Sequence, residues 1–367
     1  PHPPIDGGQV NIYYLLMNLS KQDGFVVDLL FVGNKYKLNN ESVDIIGELV
    51  NKLFIRHLSN SKLIRFSKLL FEKNFGLDIN YDLLFFSTFL SSFTWFNFGS
   101  NIKTILYQAD SRTLYYSHRS GFFNKVKYFK YKFEQKLMFK NFDRIIFVSE
   151  LDEVESNNYT NLWNRTQVIP IGINLPKKQE QNLNSEIDLA FTGNFCFPPN
   201  SEGAIKFLND IFPSLLKSRP NITIYFVGRF PSNELIAFES KYPQNIFVTG
   251  EVKSISEYLL KAKIFFSPLY WGSGMKNKIL EAMLHKLPIV CTNESTAGIK
   301  YKELFFIAND INDWILKINY LLDNPEARHK SGEENYITVQ NNYTYDIITY
   351  KHFIPMFENL ASDNCSK

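Results

Sequence analysis

The strongest constraint on this chain's fold is an alternation that runs along nearly its whole length. Short runs rich in β-branched and aromatic residues are separated by longer helical patterns. In the first half the runs fall at 25–33 (FVVDLLFVG), 82–87 (DLLFFS), 102–107 (IKTILY), 144–149 (RIIFVS) and 166–170 (TQVIP). In the second half they fall at 187–193, 222–228, 245–250, 263–269, 288–292 and 304–308. Strands that alternate with crossover helices predict an α/β fold with parallel sheets. The polar run 177–186, KKQEQNLNSE, separates the two series and reads as a linker between two Rossmann-like halves. A last amphipathic element, 344–360, follows the final strand, and its Ile347, Ile348, Phe353, Ile354, Phe357 and Leu360 need an apolar partner.

Composition narrows the function classes. A length of 367 residues suits two domains. The hydrophobic share of 45% and charged share of 21% are ordinary, the aromatic share of 16% is high, and a net charge of +3 makes no general case for nucleic acid. Cys196, Cys291 and Cys365 are scattered with no CxxC pair, which points to a reducing compartment and away from disulfides and zinc. The six histidines show no HxxxH or HExxH spacing and no aspartates stand at DxD spacing, so a mechanism without bound metal or resident cofactor is expected. The chain opens PHPPIDGGQVNIYYLL, without methionine, and reads as entering mid-motif, with an upstream strand expected before it. Residues 83–102 carry no charge, but eight of the twenty are Ser, Thr or Asn, so they read as a strand, a polar turn and a short aromatic helix rather than a membrane span.

The chemistry concentrates in SPLYWGSGMKNKILEAMLHKLPIV, residues 267–290. Gly272 and Gly274 permit positive φ and close ligand approach. Lys276 and Lys278 then load a helix start with cations, against its dipole, which an anion seated there would offset. A plain strand–turn–helix with solvated lysines is the competing reading. The spacing is neither a P-loop nor GxGxxG, since Asn277 replaces the last glycine. The other strand ends of this half carry Gly193 with Asn194, Gly228 with Arg229, and Gly250 with Val252. A glycine after one strand is usually only a turn; four along one sheet edge, beside an arginine and two lysines, suit a diphosphate clamped by Arg229 and Lys276 or Lys278.

From DLAFTGNFCFPPNSEGAIKF through NITIYFVGR and SPLYWGSGMKNKILEAMLHKLPIVCTN to LLDNPEARHKSGEENY, the second half resembles the nucleotide-sugar domain of family 4 glycosyltransferases. PHPPIDGG resembles that group's Gly-Gly entrance loop, and FDRIIFVSELDEVE the stretch leading to its linker. The resemblance implies the GT-B fold, two Rossmann-like domains facing across a cleft, with a C-terminal helix crossing back to the first. It assigns 1–176 to the acceptor side, 177–343 to the nucleotide sugar and 344–367 to the crossover helix. It further implies a retaining, metal-independent hexosyl transfer from a nucleoside-diphosphate sugar to a saccharide, lipid-linked or protein acceptor, as in surface polysaccharide synthesis. Glu281 matches the second glutamate of the E-x7-E pattern and would hold ribose hydroxyls; Ser273 stands where the first glutamate belongs, beside Met275. The backbone at Val252 would meet the base, and Gly7 and Gly8 would approach the sugar and diphosphate.

Asp110, after strand 102–107, either contacts sugar or acceptor or caps a helix; His118 is a candidate cleft base or a surface histidine. Residues 119–144 hold eight Lys/Arg and two acids, with Val126, Phe129, Phe133 and Leu137 on one helical face. That pattern fits peripheral contact with an anionic membrane or a core-facing helix with a solvated basic side, the latter being the more ordinary. A cytoplasmic protein, peripheral on the inner face of the membrane if that contact exists, is expected. A nucleotide-sugar 2-epimerase-like enzyme and a non-catalytic nucleotide-binding subunit are the alternatives to a transferase.

Overall fold

A computed structural model describes residues 7–33, 40–57, 81–87, 102–175 and 186–365. The chain divides into two compact units, one of Pro1–Gly172 with Tyr345–Lys367, the other of Ile173–Thr344. The structural boundary therefore lies four residues before the expected 176/177 division, and Ile173 and Thr344 form a parallel bridge within the second unit. The polar linker, apart from Glu186, and the short aromatic helix expected after 82–87 lie outside the described residues.

In the first unit β1 (Asp28–Gly33) pairs in parallel with β2 (Lys52–His57). The expected strands did not include β2: its KLFIRH mixes basic and apolar residues and lacks a clean period. A second sheet orders β3 (Leu83–Phe86), β4 (Lys103–Gln108), β5 (Arg144–Phe147) and β6 (Thr166–Val168), all parallel. Ile105, Leu106, Ile145, Ile146 and Phe147 are fully buried, as strands covered on both faces require. The chain end completes this core as Tyr345–Ile348, a wider π-turn at Thr349–Phe353, and helix Ile354–Cys365. Pro355, just after the wide turn, has no N–H to return to a carbonyl one turn back. Phe353 and Phe357 pack on Phe85, Phe353 also meets Tyr107, and Tyr345 stacks on Tyr14 at 4.4 Å. Tyr345 also donates to Asn11 Oδ1 at 3.0 Å.

The second unit holds one six-stranded parallel sheet: β7 (Ile187–Thr192), β8 (Ile224–Val227), β9 (Ile246–Gly250), β10 (Ala262–Ser267), β11 (Ile289–Cys291) and β12 (Phe306–Ile307). Their spatial order is β12-β11-β10-β7-β8-β9. The chain thus winds one way from β7 to β9 and the other way from β10 to β12. The winding reverses between β7 and β10, the switch point at whose strand C-termini open α/β sheets generally bind ligands. The high aromatic content fills the core beneath it: Phe266 lies 4.5 Å from Phe207, 5.6 Å from Phe191 and 5.7 Å from Phe226, centroid to centroid. Trp314 closes the cluster against Phe207.

Candidate functional site

Three loops leave the C-terminal ends of β7, β8 and β10 beside that switch point. Gly193 N donates to Val227 O and Phe195 N to Arg229 O, both at 3.0 Å, so the β7 and β8 exits run together. Gly228 has φ +144°, and a Cβ there would overlap the Gly193 carbonyl oxygen. After β10, Gly272 and Gly274 take φ of +139° and +70°, the positive values their residue type permits. Ser273 and Met275 between and after them are buried.

The cations take unequal roles. Lys276 caps the helix Asn277–Leu284, and its ammonium donates back to the Ser273 and Gly274 carbonyls at 2.6 and 2.9 Å. Its charge therefore holds the glycine turn in shape. Lys278, in the first helical turn, reaches over the Phe191 ring at 4.3 Å and donates to Asn200 Oδ1 at 2.7 Å. A Cβ on Gly193 would lie 3.0 Å from the Lys278 Nζ and 2.8 Å from Asn200 Nδ2, so a side chain there would push this pair aside. Burial, then the neighbouring Lys276 charge, pull the Lys278 ammonium down to about 7, with Glu281 opposing. Arg229 is partly buried with its guanidinium 5.7 Å from the Phe230 ring.

Glu281 sits one turn beyond Lys278, partly buried; burial raises its carboxyl and Lys278 opposes the rise. Its carbonyl lies 2.7 Å from His285 Nδ1, whose ring burial pulls down despite that hydrogen bond. Asn194 is committed locally: its Oδ1 accepts from Cys196 N and its carbonyl from Asn200 Nδ2. Val252 is partly exposed in the loop after β9, and Gly250 has φ +66°. The structure thus brings Gly193, Asn194, Arg229, Gly272, Ser273, Gly274, Met275, Lys276, Lys278 and Glu281 to the C-terminal edge of one sheet, with Val252 along the same edge. Sequence reasoning missed Asn200. It lies 78 residues from Lys278, and only its place in FPPNSEG, just past the first strand end, hinted at it.

The remaining candidates belong to the first unit. Gly7 and Gly8 open the helix Gly7–Leu19 rather than a loop. Asp110 follows β4, is exposed, and its carbonyl accepts from Gln108. It is not the helix cap, contrary to one reading of the sequence: Ser111 caps Arg112–Ser117 by accepting from Leu114 N. Burial, reinforced by the Asp110 charge, pushes the Tyr107 hydroxyl up. His118 is exposed at the end of that helix. Among the described residues no three His, Cys, Asp or Glu side chains gather as metal ligands.

The second unit is thus a doubly wound α/β domain with a cation-bearing glycine loop at its switch point. Residues 186–324 match the family model described as glycosyl transferases group 1. An uncharacterised 44.6 kDa protein in the cps region of Klebsiella pneumoniae is 28% identical over 53% of the chain. The match spans about half of that relative, 52% of its length. An uncharacterised glycosyltransferase of Methanocaldococcus jannaschii, MJ1069, is 24% identical over 98% of this chain and 96% of its own. Anabaena HepE, solved in complex with UDP, superposes with a TM-score of 0.67 over 97% of this chain and 96% of its own, at 13% identity. Over residues 186–324 the sequence is similar to glycosyl transferases group 1, and the fold of the chain is GT-B.

Proposed function

We propose that the protein is a retaining glycosyltransferase that moves a hexose from a nucleoside-diphosphate sugar to a saccharide, lipid-linked or protein acceptor held near a membrane. The observation that carries this reading is Lys278 Nζ, held by Asn200 over the glycine exits of the switch point. In the reaction the bond from the anomeric carbon to the diphosphate breaks and a bond to the acceptor oxygen forms on the same face. The acceptor proton passes to the departing diphosphate. Lys278 and Arg229 would stabilise the charge that develops on that leaving group, Lys276 would keep the loop backbone in position, and Glu281 would hold the ribose hydroxyls. Val252 would border the base and Gly193 the diphosphate. Gly7, Gly8 and Asp110 would serve sugar and acceptor from the first unit. The capsule-region name of the Klebsiella relative supports a place in surface polysaccharide assembly, and the UDP complex of HepE supports a nucleoside-diphosphate donor.

The test is nucleoside-diphosphate release from a panel of sugar nucleotides, with and without an acceptor extract, in excess chelator. Release that depends on acceptor and stays within about twofold on chelation is expected, because lysine and arginine supply the countercharge. Activity abolished by chelator and restored by manganese or magnesium would overturn the metal-free reading. An altered sugar nucleotide formed without acceptor would identify an epimerase instead.

A further inference from the structure

The helix Phe122–Met138 carries its apolar stripe on the wrong side for a core. Phe122 is 76% exposed, Phe129 63%, Phe133 64%, and Val126 and Leu137 50% and 46%. The adjoining Phe123 is 79% exposed. At about 100° per residue, Phe122, Val126, Phe129, Phe133 and Leu137 fall within about 80° of arc, roughly opposite Tyr131, Gln135 and Met138. That opposite side makes the packing. Tyr131 stacks on Tyr116 at 5.5 Å, Gln135 accepts from Thr113 and Tyr159, and Met138 joins the buried cluster under β4 and β5. The ordinary reading of this segment, a core-facing apolar stripe, is therefore corrected: polar and tyrosine contacts dock the helix, and the phenylalanines face out.

The flanks of the stripe are basic. Lys125, Lys130, Lys136 and the following Lys140 are exposed. Glu134, 3.7 Å from Lys130, is the one acid in the helix. Among the described residues no helix is long and apolar enough to cross a membrane. A row of aromatic side chains bordered by lysines matches a bilayer surface in both depth and charge: rings enter the headgroup boundary while ammonium groups meet lipid phosphates.

We infer that the outer face of Phe122–Met138 is a docking surface for an anionic lipid bilayer, with Phe122, Phe129 and Phe133 entering the interface. This deepens the reading of an acceptor held near a membrane and rests on it, yet the surface is testable without any transfer. The helix stays docked by its inner contacts, so the surface needs no refolding to bind.

The experiment is flotation of the full chain with vesicles of phosphatidylcholine alone and with roughly one third phosphatidylglycerol. Partition onto the anionic vesicles is expected to be at least about tenfold stronger, since each lysine near the surface adds roughly fivefold, and to weaken with added salt. The double variant Phe129→Ser, Phe133→Ser, whose unchanged circular dichroism would show intact folding, should lose at least about tenfold, as should Lys125→Glu with Lys136→Glu. Equal partition on both vesicles, no partition on either, or unchanged binding by the variants would overturn the inference. So would a wild-type dimer that the serine variant dissociates, because a second copy would then cover the face. Vesicle binding without sugar transfer leaves this surface standing and removes the functional reading; transfer to a soluble acceptor without vesicle binding does the reverse.

Discussion

Lys278 is held between the Asn200 amide and the face of the Phe191 ring. Its folded-state ammonium titrates near 7, while an unfolded chain's lysine titrates near 10.5. Below about pH 7 the buried charge is present and costs stability; between about 7 and 10.5 the folded state sheds the proton that the unfolded state keeps. The stability of the ligand-free protein relative to a Lys278→Met variant should therefore rise with pH across that window, read as the difference in Tm. A bound diphosphate reverses the preference by favouring the charged form, so nucleotide binding at about pH 8 should take up a proton. Calorimetry in buffers of different ionisation enthalpy measures that uptake, and the methionine variant should abolish it. Gly228 gives a purely steric prediction. With φ +144° and the Gly193 carbonyl in the way, Gly228→Ala should cost on the order of 1–3 kcal/mol or more and weaken nucleotide binding. A Tm within a degree of wild type would show that the β7 and β8 exits are not packed as described. The glycines of this site were legible because φ and close approach restrict residue type. Asn200 was not, because its partner is fixed by the crossing of two loops rather than by any local pattern.

At the scale of elements, hydrophobic run length located the strands well, and their ends fell within a few residues of those expected. What the run pattern could not rank was which face of an amphipathic helix packs. In Phe122–Met138 the buried side is made by ring stacking and hydrogen bonds of Tyr131 and Gln135, which a hydropathy pattern scores as polar. The C-terminal segment behaves in the ordinary way: Phe353, Met356, Phe357 and Leu360 are buried. Each large apolar side chain exposed by its removal forfeits about 1.5–3 kcal/mol. Deleting 345–367 should therefore expose apolar surface on the first unit, seen as a gain in binding of a hydrophobic dye, and abolish transfer. Nucleotide binding by the second unit should persist in part. A truncated chain that transfers sugar normally would refute the role given to this segment.

At the scale of the whole molecule, the two-series alternation of the sequence corresponds to two compact units, and the order of the second sheet sets where its switch point lies. That order was not readable from strand spacing alone, because neither the two-helix crossover before β8 nor the single-helix crossover before β10 reveals its side of β7, which only tertiary packing decides. The central claim is that the switch point between β7 and β10 holds a nucleoside diphosphate through Lys278. Titration calorimetry of uridine, guanosine, cytidine and adenosine diphosphates against the wild type and Lys278→Met tests it most directly. At least one nucleotide should bind the wild type, and the variant, equally folded, should bind it at least about tenfold more weakly, the loss of one charge-assisted hydrogen bond. Equal affinity in the two proteins, or no binding of any of the four to the folded wild type, would contradict it.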